Sequence, residues 1–107
     1  LVVNSYFPNR GDIVKLEFGN TQQFTVLVIS PIKYNRMASL VLVCPITSNQ
    51  KGLSFEVPLV EGMQTKGVVL ADQIKTLNWR ARKVKFVESV AQDLIEEVQA
   101  KLETLIL

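Results

Sequence analysis

Hydrophobic and polar positions change rhythm several times along this chain. After a turn at Arg10-Gly-Asp12, Val14, Leu16 and Phe18 alternate with Lys15 and Glu17, the period of a strand with one face buried. Residues 24–29 form an unbroken β-branched and apolar run that suits a strand covered on both faces, and Ser30-Pro31 stops it. A polar connection, Lys33-Tyr-Asn-Arg36, leads to the apolar run 40–44, which Pro45 ends or confines to a sheet edge. Phe55, Val57 and Leu59 alternate, residues 67–71 are apolar, and Val84 and Phe86 allow one more short strand. Six short strands are enough to curl into a small barrel.

From Ser89 the period becomes helical. Val90, Leu94, Ile95, Val98, Leu102 and Leu105 share one face while Asp93, Glu96, Glu97 and Glu103 occupy others. Ser89 and Gln92 have the spacing of a capping box, so a C-terminal helix of about four turns is expected to start there and pack on the barrel. At 107 residues, the chain is expected to form a single domain spanning 1–107.

Charge refines this picture. Residues 1–87 carry 11 basic and 5 acidic side chains, whereas residues 88–107 carry 1 basic and 5 acidic. The body is therefore cationic, as expected of a polyanion binder. Lys75, Arg80, Arg82, Lys83 and Lys85 crowd one stretch around Trp79, with no carboxylate between Gln73 and Val87. Histidine is absent, which removes the commonest general acid/base and metal ligand; no metal site and no cofactor are expected. The lone Cys44 forms no internal disulfide and fits a reducing cytoplasm; no apolar run is long enough for a membrane span.

Chemistry must then come from hydroxyls, cations and amides. Thr47-Ser48 follow a strand on a stretch that also holds Asn49, Gln50 and Lys51, and a hydroxyl beside a cation can hold a phosphate oxygen. The same residues could simply satisfy a turn. Asp72 and Gln73 could read base edges or serve a turn and an ion pair, and Trp79 could stack on a base or pack against a helix.

Taken together, the segments Arg10-Gly-Asp-Ile-Val14, Ser30-Pro31, Tyr34-Asn35, Val43-Cys-Pro-Ile-Thr-Ser48, Lys51-Gly52, Phe55-Glu-Val57, Gly67-Val-Val-Leu-Ala-Asp-Gln-Ile-Lys75 and Trp79-Arg-Ala-Arg82 resemble the MazF/PemK family of toxin endoribonucleases over about residues 9–107. The resemblance implies a mainly β fold with α, a small SH3-like β-barrel with a C-terminal helix. It also implies a cytoplasmic homodimer that cleaves single-stranded mRNA without a metal, leaving 2′,3′-cyclic phosphate and 5′-hydroxyl ends, and a cognate antitoxin with an acidic tail. On the same ground Thr47 is the catalytic residue expected. Asn35, Lys51, Asp72, Gln73 and Lys75 are expected to contact RNA, joined by Arg80 and Arg82 of the basic stretch. One departure stands out: the family's catalytic Arg precedes a Pro where this chain has Phe24-Thr25, after a shorter loop. Another cation in its place, lost catalysis with retained RNA or antitoxin binding, and a loop missing from the sequence all remain open there. A gyrase-poisoning toxin on the related barrel is a further alternative.

Overall fold

A computed structural model covers the chain continuously, and residues 6–18 and 22–107 are described. Gly19, Asn20 and Thr21, in the shortened stretch before Phe24, lie outside the described residues. The elements run β1 (Asp12–Phe18), β2 (Gln22–Val28), α1 (Ile32–Ala38), β3 (Leu40–Thr47), β4 (Glu56–Pro58), β5 (Val68–Leu70), a 3-10 turn (Ala71–Gln73), β6 (Lys75–Asn78), β7 (Val84–Ser89) and α2 (Gln92–Ile106). The seven strands make one antiparallel sheet in the order β4-β5-β3-β2-β1-β7, with β6 also paired to β3. Ladder hydrogen bonds do not close it into a ring among the described residues, yet the sheet curls as a small barrel does.

Both faces are packed. One carries Ile13, Leu27, Cys44, Val57 and Val69 beneath Leu94, Ile95, Val98 and Leu102 of α2. The other carries Val14, Leu16, Val26, Val28, Val41 and Val43, covered by Trp79. This accounts for the continuous apolar run in β2, whose alternate residues enter two different clusters.

Several expectations need correction. Pro45 neither ends β3 nor puts it at a sheet edge. On one side β3 stays paired with β2, and on the other it changes partner from β6, up to Val43, to β5, from Ile46; Pro45 lies at that changeover, where no continuous ladder demands its missing N–H. The polar connection at residues 33–36 is part of α1, a helix too short to display a helical period. A seventh strand, β6, adds to the six expected; its sequence Lys-Thr-Leu-Asn offers a single apolar residue and so no alternation. Ser89 does not cap α2. It ends β7 and its hydroxyl donates to the buried Asp12 carboxylate at 3.0 Å, while Ala91 precedes the helix without any side-chain cap. Leu105 likewise leaves the packed face of α2 and is exposed.

Candidate active site

Side chains alternate along β3, so Val43, Pro45 and Thr47 look to one side and Cys44 and Ile46 to the other. Thr47 is the last residue of the strand and half-buried, lining a cleft of about 190 Å³ with Asn49, Lys51, Phe55, Glu56, Leu70 and Gln73. The Asn49 amide donates to Thr47 Oγ1 at 3.1 Å. One lone pair of the hydroxyl is thereby engaged, and its proton is left to point at a ligand.

The wall that carries Lys51 is held by Glu56, a residue that nothing in the composition or charge pattern singles out. Glu56 is buried, and its carboxylate accepts from the amides of Lys51 (3.1 Å), Gly52 (2.9 Å) and Leu53 (3.3 Å). A charge folded onto three backbone donors fixes the loop far better than a neutral turn does. A carboxylate spaced four to five residues from a Lys-Gly turn was the available signal.

Gly67 tightens the other side. Its φ is +118°, and a Cβ there would come within 2.1 Å of the Thr47 carbonyl oxygen. Only glycine lets the start of β5 lie this close to the end of β3.

The other anticipated contact residues fall into distinct groups. Lys51 and Gln73 share the Thr47 cleft, and Asp72 is exposed on the 3-10 turn beside Gln73. Lys75 is exposed on an adjacent, mostly apolar groove of about 390 Å³, with Phe18, Gln22, Phe24, Val43 and Pro45. Phe24 itself is 44% exposed and packs edge-on against Phe18 at 4.9 Å between ring centroids. Thus the position at which the family's Arg was expected presents an aromatic face and no charge.

Asn35 does not join the site. It is fully buried, its Nδ2 donates to the carbonyls of Pro8 (2.8 Å) and Ser30 (3.0 Å), and its Oδ1 accepts from the Ser30 hydroxyl. No polar atom remains for RNA, so the side chain ties α1 to the segment before β1. Trp79 is also internal: its Nε1 donates to the Asn35 carbonyl at 2.9 Å, and its ring meets Phe7 edge-on. The base-stacking alternative for Trp79 is set aside by this burial. Arg80 lies over the Trp79 ring at 4.5 Å and donates to Ser39 Oγ and the Arg36 carbonyl. Arg82 covers the Phe18 ring at 4.2 Å, with its Nε buried and unpartnered. Arg80 and Arg82 line a separate cleft with Phe7, Trp79 and Lys83, rather than the one holding Thr47.

Burial is what pushes the Cys44 thiol up to about 12, with the negative charge of Asp72 adding to it. Glu88 moves the other way. The Thr65 hydroxyl donates to it at 2.7 Å, the amides of Thr65 and Gln64 assist, and Lys66 is near, so its carboxyl sits below the ordinary value despite some opposing desolvation. Among the described residues, no group of three His, Cys, Asp or Glu converges as a metal site would require.

Comparison with known proteins agrees with this architecture. Residues 9–106 match the family described as PemK-like, MazF-like toxin of type II toxin-antitoxin system. The chain is 35% identical to the endoribonuclease toxin MazF of Escherichia coli K12 over 98% of its own length and 99% of that protein. It is 36% identical to the Escherichia coli endoribonuclease PemK, covering 82% of this chain and 71% of that one. Among solved structures, a chain of the MazE-MazF crystal structure from Deinococcus radiodurans superposes with a TM-score of 0.89 at 39% identity, covering 95% of this chain and 97% of that one. The chain belongs to the PemK/MazF-like toxin family.

Proposed function

We propose that this member of the family is an endoribonuclease toxin that cuts single-stranded mRNA at a short recognised motif, with the scissile phosphate seated against Thr47. The observation that carries the reading is the cleft itself: an oriented hydroxyl, an amide side chain and an ammonium group converge at the end of β3. These groups suit a reaction in which the substrate supplies its own nucleophile. The ribose 2′-oxygen attacks phosphorus as its proton leaves to solvent, the bond to the 5′-oxygen breaks, and that oxygen takes up a proton. The products are a 2′,3′-cyclic phosphate and a 5′-hydroxyl.

The protein's part is electrostatic. Thr47, with its oxygen already accepting from Asn49, donates to a non-bridging oxygen as charge builds there, and Lys51 neutralises that charge. Lys75 supports the strand from the next groove, and Gln73 and Asp72 offer donors and acceptors to a base edge. None of these steps requires a metal. Base pairing hides the edges being read, so unpaired RNA is preferred.

An antitoxin with an acidic tail would occupy the same cationic surface, since carboxylates can follow a phosphate track; the MazE-MazF structure of the Deinococcus relative supports an antitoxin partner. Homodimerisation in the cytoplasm completes the reading. A second reading, binding without cleavage, is favoured by one observation: Phe24 supplies no guanidinium.

Incubation of the purified protein with a panel of single-stranded RNAs, in the presence of a chelator, separates the two. Cleavage by the wild type and a fall of about 100–1,000-fold in rate for Thr47→Ala is the expected outcome. Bound but intact RNA would establish the second reading, and no binding at all would sink both.

A further inference from the structure

Thr47 and Ser48 are neighbours in sequence but serve opposite sides of the sheet. Ser48 opens into a separate cleft of about 340 Å³ that also holds Lys15, Thr25, Gln64, Thr65 and Lys66. Lys15 stands directly opposite Lys85 in the β1–β7 ladder and opposite Thr25 in the β1–β2 ladder. Directly opposed strand residues project to the same face, so Lys85 leaves the sheet beside Lys15 and adds a second positive charge next to the cleft. The carboxylate beside Lys66, that of Glu88, is occupied by the Thr65 hydroxyl and the amides of Thr65 and Gln64. Its role there is to hold the loop that delivers Lys66.

We infer that this cleft is a second phosphate-binding subsite, taking the backbone phosphate next to the scissile one as RNA crosses the end of β3. The inference rests on the ribonuclease reading, because that reading fixes where the first phosphate lies. Consecutive strand residues are about 3.4 Å apart, so a chain whose phosphate touches Thr47 has its neighbouring phosphate within reach of the Ser48 side. The Ser48 hydroxyl supplies a short donor, the Thr65 hydroxyl being held by Glu88, and Lys15 and Lys66 in the cleft with Lys85 across the ladder supply charge, a combination that positions a backbone without reading sequence. Gly67 makes the crossing possible by keeping the start of β5 close against Thr47 and Ser48.

The test is binding of a single-stranded RNA carrying a 2′-deoxy substitution at its cleavage site, followed against salt concentration for the wild type, Lys15→Gln/Lys66→Gln/Lys85→Gln, the matching triple Arg variant, and Lys33→Gln on α1. The triple Gln variant should bind more weakly, and its log-log salt slope should flatten by about 0.7 for each phosphate that the protein no longer neutralises. The Arg variant should keep the slope, and Lys33→Gln should resemble the wild type. If RNA is cut and bound with the same slope by the triple Gln variant, the subsite is wrong while the ribonuclease reading survives. An effect of the Gln variant confined to binding of a polyglutamate peptide would overturn it in favour of a protein-binding face. Failure of the wild type to bind any RNA would overturn both.

Discussion

Asn35 and Thr47 illustrate how differently two polar residues can be used. The Asn35 amide is saturated by Pro8 and Ser30, so Asn35→Ala strands buried partners on two segments and should cost roughly 3 kcal/mol in urea unfolding. RNA affinity per folded molecule should be unchanged; a specific drop in affinity at full stability would return Asn35 to the binding set. Thr47 was singled out by the resemblance of Val43-Cys-Pro-Ile-Thr-Ser48 to the family, because a hydroxyl that follows a strand and a proline fits a turn equally well. Burial of Asn35 was not legible in the sequence, since polar residues in a short connection look solvated until α1 and the segment before β1 close over them. Cys44 gives a pH test. Its folded value of about 12 lies above the ordinary 9.0, so the neutral thiol favours the folded state fully below pH 9 and that contribution is lost as pH rises toward 12. A thiol reagent at about pH 8, where an ordinary thiol is partly ionised, should therefore modify Cys44 only on unfolding, and rapid labelling of the native protein would contradict its burial.

At the scale of elements, the site is built by two short segments that fasten the end of β3. Glu56 gathers three amides of the loop bearing Lys51, and Glu56→Ala should lower stability by roughly 2 kcal/mol and raise KM for RNA as that loop loosens. Unchanged KM and unfolding would show the loop to be held by other contacts. Gly67→Ala would bring both backbone strain and a clash with the Thr47 carbonyl, so it should destabilise the protein by roughly 2–4 kcal/mol and depress cleavage in the molecules that remain folded. Long elements were legible here: β1 and α2 follow from period, and β2 from its unbroken apolar run. β6 and α1 were not, because four or seven residues cannot display a period, and both are defined by what they pack against.

For the whole molecule, the division between a cationic body and an acidic tail has a structural counterpart. α2 turns Leu94, Ile95, Val98 and Leu102 onto the sheet and leaves Asp93, Glu96, Glu97 and Glu103 outside, while lysines surround the end of β3. The basic stretch that dominates the sequence lies outside the Thr47 cleft, its Arg80, Arg82 and Lys83 lining a separate one. Arg80 and Arg82 spend much of their surface on Trp79 and Phe18, and the lysines flanking Thr47 and Ser48 come from separate segments. Charge clusters assembled by topology cannot be seen along a chain, which is why neither Lys15 nor Lys66 stands out in the sequence.

The chemistry attributed to Thr47 is tested most directly by the ends of the cut RNA. Mass spectrometry of fragments made by the wild type should find 2′,3′-cyclic phosphate and 5′-hydroxyl termini, with a single 2′-deoxy substitution at the cut abolishing cleavage and Thr47→Ala yielding almost no fragments. Fragments ending in 5′-phosphate, cleavage that persists through the deoxy substitution, or a Thr47→Ala protein as active as the wild type would contradict it.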